Sequence, residues 1–255
     1  MIAEMEMFKE LMDTKCPVEK RAVTNHRALN EAYDYKRPSS FSRGMRIDLE
    51  TSARSIPLWR TDGTIDPVSR LDFNQAALLN QVMTAGLSRY VPFSTSGQMG
   101  ATPYLFRSGF NAGIAFGEDV RSAAYPHELL KQAVAEGKRI RKYFFGDFYP
   151  LTEVTASPED WCVLQYHRAA EQDGMVLAFR RHSSPYENYH AALKEIDAEG
   201  KYDVTFYSGY APAKSFQMTG AELQHLKIEI DEVPGSLLVE YKKTHSGPGQ
   251  TAQVR

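Results

Sequence analysis

The chain has 255 residues, of which 42% are hydrophobic, enough for a sizeable core and for one or two domains. Its formal net charge of -2 gives no electrostatic reason to expect nucleic acid or an acidic membrane surface as partner, and suits a neutral, sugar-like ligand. The two cysteines, Cys16 and Cys162, sit in unrelated contexts without metal-ligand spacing and suggest neither a disulfide framework nor a zinc site.

In chain order, Met5, Phe8, Leu11 and Met12 fall at helical spacing and predict a short amphipathic helix over residues 1–13, ended by Cys16-Pro17. Its early Glu4, Glu6 and Glu10 do not suit a signal peptide, and no run approaches the ~18 apolar residues needed to span a bilayer. The cytoplasm is the expected location, unless an export signal has been lost from the N-terminus. Residues 18–41 are mostly charged or polar and contain no evident buried strand. A glycine turn at Gly44 then leads into a helical segment carrying Arg46, Asp48 and Glu50. Next, Ile56-Pro57-Leu58-Trp59-Arg60-Thr61-Asp62 reads as an apolar strand that ends in an arginine and a carboxylate. A barrel strand presents a catalytic acid in this way.

Val68, Leu71, Phe73, Ala76, Leu79 and Val82 predict a helix between residues 67 and 83, followed by a strand over 87–93 and a polar loop at Ser94–Gly97. Leu129, Leu130, Ala133, Val134 and Ile140 predict a helix over 126–142, and an aromatic strand is expected over 143–149. This alternation indicates an α/β unit with parallel strands. Near Ser157-Pro158-Glu159 the character changes. Short alternating segments at 161–167, 175–181, 202–207 and 236–242 predict an antiparallel β-sandwich with Trp161 in its core. The last residues, from Thr244, read as a loose tail. His127, His167, His182 and His190 share no metal-ligand spacing.

The segment Ser42-Arg43-Gly44-Met45-Arg46-Ile47-Asp48-Leu49-Glu50-Thr51, the strand ending at Asp62, and the runs Tyr90–Gly97, Phe106–Phe110, Tyr143–Pro150 and Ala178–Arg181 together resemble, in their order, the melibiase-type α-galactosidases, which are retaining glycoside hydrolases. The resemblance covers residues 42 to about 243. It implies a fold of the α/β plus β class, the C-terminal part of a (β/α)8 TIM barrel over 42–156 followed by an antiparallel β-sandwich over 157–243. An unmatched segment (1–41) and a flexible tail (244–255) flank them. It implies hydrolysis of terminal α-galactosides with Asp62 as general acid/base, and substrate binding by Ser42, Trp59 and Arg60, with no cofactor and no metal. Read without the family, Asp62 is a strand-end residue capping a turn, Ser42 a turn serine, Trp59 a core tryptophan, and Arg46 a partner for Asp48 or Glu50.

The family's loop cysteine is Ser40 here and its first glycine is Arg43, and no aspartate matches the family's nucleophile; Asp34 in Tyr33-Asp34-Tyr35-Lys36 is its nearest imitation. The expectation is a truncated, frameshifted or fused reading frame, against an ordinary divergent N-terminus, and a chain inactive by itself. The partners expected are a galactoside or oligosaccharide and either a complementing N-terminal fragment or a second copy of the chain, with no nucleic acid and no membrane. The alternative is a non-catalytic carbohydrate-binding or interaction module.

Overall fold

The structure, a computed structural model, describes residues 73–89, 100–110 and 120–244, together with the short backbone segments 59–60, 94–95, 97–98 and 115–116. All of these but Trp59 belong to a compact unit that begins at Arg60.

Three of the four described α-helices precede the large sheet. After the two-residue strand β1 (Trp59–Arg60) comes α1 (Phe73–Leu87), whose Ala76, Ala77, Asn80, Gln81, Thr84 and Ala85 are buried. Two short strands, β2 (Ser94–Thr95) and β3 (Gly97–Gln98), stand where a polar loop is predicted. Helix α2 (Pro103–Ser108) starts where local chemistry dictates. The Thr102 hydroxyl accepts from the Leu105 N–H, and Pro103 opens the first turn, where a missing N–H costs nothing. Just before it, Gly100 adopts φ 82°, and a side chain there would collide with Leu105. Strand β4 (Ala115–Phe116) pairs in parallel with β3, so that α2 lies on the crossover between them.

Helix α3 (His127–Ile140) is predicted almost to the residue, with Glu128 in its first turn and Lys138 and Arg139 in its last, as the helix dipole favours. The aromatic run that follows is not a barrel strand. Tyr143 and Phe144 are buried on a 3-10 turn over Arg141–Phe145, and the strand proper, β5 (Asp147–Pro150), runs antiparallel to its neighbour. Likewise, Leu87 ends α1 and Ser88–Arg89 form a turn where a strand is predicted. Before β5 every described strand has two residues, and these segments do not by themselves form part of a barrel.

The remaining strands are β6 (Trp161–Arg168), β7 (Asp173–Arg180), β8 (Asn188–Ala192), β9 (Lys201–Tyr207), β10 (Lys214–Thr219), β11 (His225–Glu229) and β12 (Gly235–Lys243). Six strands make an antiparallel sheet in the order β10-β9-β12-β7-β6-β5, and β8 pairs with β11 as a second layer. A five-residue helix, α4 (Gly220–Gln224), enters through a reciprocal cap in which the Thr219 hydroxyl and the Glu222 carboxylate satisfy each other's backbone N–H.

The central strands are hydrophobic on both faces because both faces are covered. One face carries Trp161, Val163, Val176, Ala178, Val204, Val239 and Tyr241 against Ala191, Leu193, Leu223, Leu226 and Ile228 of the second layer and its connections. This is the predicted sandwich, with Trp161 in its core. The other face carries Cys162, Leu164, Tyr166, Leu177 and Phe179, and the helices pack there. Tyr104 meets Phe179 edge-on at 6.1 Å, and Phe144 meets Tyr166 at 4.8 Å.

Candidate functional site

Of the residues singled out from the sequence, Ser42 and Asp62 lie outside the described residues, and Trp59 and Arg60 are described only as the backbone of β1. The Asp48, Glu50 and Arg46 cluster and Asp34 also lie outside. The described residues instead bring together a cleft of about 290 Å³ that sequence reading does not anticipate. Its walls come from α1 (Asn74), the start of α2 (Thr102, Pro103, Tyr104, Leu105), the β9–β10 turn (Ser208) and the β11–β12 connection with the start of β12 (Glu232, Pro234, Ser236).

A buried ion pair holds these walls together. Arg107, on the second turn of α2, is inaccessible to solvent and makes a fork-to-fork pair with Glu136 of α3, Nε to Oε1 at 2.7 Å and Nη2 to Oε2 at 2.8 Å. Its remaining N–H groups reach the sheet. Nη1 donates to the Tyr207 carbonyl at 3.0 Å and to the Ser236 hydroxyl at 3.3 Å, and Nη2 donates to the Gly209 carbonyl at 2.5 Å. One side chain thus fixes α2, α3, the β9–β10 turn and β12. Arg139 adds a half-exposed bond to Glu240 at 2.8 Å, and its guanidinium lies over the Tyr207 ring at 4.3 Å.

A second polar cluster lies below Tyr104. The Gln81 amide donates to the Ser108 hydroxyl and accepts from Arg181 Nε, both at 3.0 Å, and Arg181 also reaches the Thr155 and Ser157 carbonyls. Burial pushes the Tyr104 phenol up to about 12, opposed by the neighbouring Gln81 amide and by the Arg181 charge. Tyr104 is therefore a neutral wall residue over any ordinary pH.

The cleft offers hydroxyls from Thr102, Ser208 and Ser236, an amide from Asn74, a carboxylate from Glu232, and an apolar flank of Pro103, Tyr104, Leu105 and Pro234. That mixture suits a small polar molecule with an apolar face. Among the described residues Glu232 is the one carboxylate of the lining, whereas glycoside hydrolysis needs two facing a common bond. No group of three His, Cys, Asp or Glu among the described residues is placed to hold a metal ion, and no described helix is long and apolar enough to cross a membrane. Signals for part of this site exist in the sequence. Thr102-Pro103 is a legible helix start, and Arg107 lies in one of the matched runs, but nothing in their spacing indicates that Glu136 answers Arg107.

No protein-family model matches the chain, and no curated protein sequence matches it. Solved structures do. A doubly substituted GH36 alpha-galactosidase AgaA from Geobacillus stearothermophilus, in complex with raffinose, matches with a TM-score of 0.52 and 16% identity over 67% of this chain and 24% of that one. The galactosidase domain of the alpha-galactosidase-sucrose kinase AgaSK matches with a TM-score of 0.56 and 14% identity over 78% of this chain and 27% of that one. The chain thus spans about a quarter of the length of these structures. At such identities the likeness is one of fold, and the fold is GH36-like.

Proposed function

We propose that the chain is the C-terminal portion of an α-galactosidase-like glycoside hydrolase, acting on the O-glycosidic bonds of terminal α-galactosides. The observation that carries this reading is the coincidence of two independent likenesses: the GH36-like fold, and the ordered motif series of residues 42 to about 243. In this reading residues 42–156, apart from the edge strand β5 that joins the sandwich sheet, contribute the last part of a (β/α)8 barrel, and residues 157–243 the sandwich.

Asp62 then protonates the leaving oxygen and later deprotonates the attacking water, while Ser42, Trp59 and Arg60 hold the sugar. A retaining reaction needs a second carboxylate about 5 to 5.5 Å away as nucleophile. No residue of this chain matches it, so in this reading it comes from a complementing N-terminal fragment, since a second copy of the chain would lack it equally. Asp62 must keep its proton near working pH against a reference value of about 3.9. Burial and the facing nucleophile supply the upward push. The alternative, a non-catalytic carbohydrate-binding module, is favoured by the self-contained core of the sandwich and by a cleft lined, among the described residues, by a single carboxylate.

Release of p-nitrophenol from p-nitrophenyl α-D-galactoside by the purified chain, beside Asp62→Asn and a β-D-galactoside control, separates the two. Release specific to the α-anomer and lost in Asp62→Asn supports the hydrolase. A folded chain that binds galactosides without releasing the chromophore, alone or with a complementing fragment, supports the module.

A further inference from the structure

His167 lies on β6 with no exposed surface, yet it is not packed among hydrocarbon alone. Its Nδ1 is 3.1 Å from the Tyr241 hydroxyl of β12, and the two rings stack with centroids 6.0 Å apart. The same hydroxyl meets Gln165 Nε2 at 2.9 Å. Gln165 in turn grips the connection between β8 and β9. Its Nε2 donates to the Lys194 carbonyl at 2.9 Å, and its Oε1 accepts from the Lys194 N–H at 2.8 Å. The next residue, Glu195, sits at φ 57°, a left-handed conformation that a residue with a Cβ adopts only when its surroundings hold it there.

These contacts fix the protons. The Lys194 N–H obliges the Gln165 oxygen to face it, so Gln165 Nε2 is the donor to Tyr241. The Tyr241 oxygen is thereby an acceptor, and its own proton goes to His167 Nδ1. The imidazole is then neutral with its proton on Nε2, and that N–H is the one group left without a partner. The reverse tautomer would strand both the tyrosine proton and the Nε2 lone pair. Adding a proton at Nδ1 removes the acceptor of the Tyr241 hydroxyl, so the chain of bonds cannot survive protonation unchanged.

We propose that His167, Tyr241 and Gln165 form an acid-sensitive latch, which clamps the strained Lys194–Glu195 corner onto the central sheet at neutral pH and releases it in mild acid. The charged groups around the imidazole do not prevent this. Asp147 on β5 and Glu195 itself are exposed and screened by water, and the buried Asp173 of β7 is neutralised by a two-pronged bond from Arg168. Tyr149 on β5 and Tyr241 on β12 are uncharged in this range. Burial therefore dominates and holds the imidazole below its ordinary value, with the three carboxylates only opposing it. A folded-state value below the unfolded one means that protonation favours the open corner as pH falls below about 6.5.

The test uses the whole chain. Nitrogen NMR of the His167 ring at pH 7.5 should show the neutral form protonated at Nε2. Exchange of the Lys194 amide, corrected for its intrinsic pH dependence, should lose protection between about pH 7.5 and 5.5, by up to roughly tenfold, the limit set by one factor of ten per pH unit below the free imidazole value. In His167→Asn, which keeps an acceptor near Nδ1 but cannot titrate, that protection should be flat. An Nδ1-protonated tautomer, or Lys194 protection independent of pH in the natural chain, overturns the proposal even if the variant does not fold.

Discussion

Replacing Glu136 by glutamine removes one charge and almost no volume, so its effect, the contact with the half-exposed Arg139 being longer at 3.8 Å, reports chiefly on the buried pair with Arg107. Both side chains are essentially inaccessible, and the two bonds between them are 2.7 and 2.8 Å long. Glutamine can accept at one oxygen, but its amide group then faces the other guanidinium N–H, donor against donor. Breaking a buried pair from one side typically costs about 3–5 kcal/mol, because the remaining charge is stranded out of water. For a chain of this size about 1 kcal/mol moves the melting temperature by ~2–4 °C, so Glu136→Gln should melt about 6–20 °C lower. Circular dichroism melts of the two proteins measure this directly. Lys131→Ala provides the control: it breaks a pair whose side chains are 72% and 81% exposed to water, and should leave the melt essentially unchanged. Arg107→Leu should exceed Glu136→Gln, since it also strips partners from the Tyr207 and Gly209 carbonyls. A Glu136→Gln melt within about 2 °C of the natural chain would refute the reasoning, and would mean that the carbonyls alone keep Arg107 in place.

Other consequences follow from the sandwich. Gly174→Ala places a methyl group on the Tyr241 hydroxyl and the Tyr166 carbonyl, backbone that cannot yield, so the urea midpoint should fall by the equivalent of about 1–3 kcal/mol. Cys162 is buried and its thiol is pushed up to about 11, so in Cys16→Ser the remaining thiol should resist Ellman's reagent at pH 8 until the chain unfolds. Thr219→Ala removes the cap of α4 and should cost about 1 kcal/mol in denaturant melts. The Glu222 carboxyl is held below its usual range by the Thr219 N–H and hydroxyl; its part in the cap should persist above the ordinary carboxylate pKa and fade as pH falls through the lowered value, visible in its carbon NMR titration.

The centre of the sheet is legible in the sequence because β6, β7, β9 and β12 are short apolar or alternating runs between turns, and their ends agree with expectation to within one or two residues. Strands β8 and β10 escape notice because they are mostly exposed and polar, their pairing being imposed by neighbours rather than by their own composition. His225-Leu226-Lys227-Ile228-Glu229 does alternate, and is a missed signal. Tyr143-Phe144-Phe145 misleads in the opposite sense: aromatic residues suggest a strand, yet two of them fill a gap between α3 and the sheet from a 3-10 turn. The charged residues of the cleft region are least legible. On a helix, Glu136 looks like a solvated face, and only the distant α2 makes it a buried partner.

The covering of both sheet faces leaves the central sheet two open rows of backbone N–H and C=O groups among the described residues, one along β5 and one along β10. They are not equivalent as templates. β5 has four residues and ends in Pro150, which has no N–H to offer, so it presents a short and interrupted ladder. β10 has six residues without proline, one lysine, and an exposed Phe216 stacked on Phe206. A strand added to this sheet would therefore join at β10 rather than at β5, and a proline or a second lysine in β10 is the substitution that would block it.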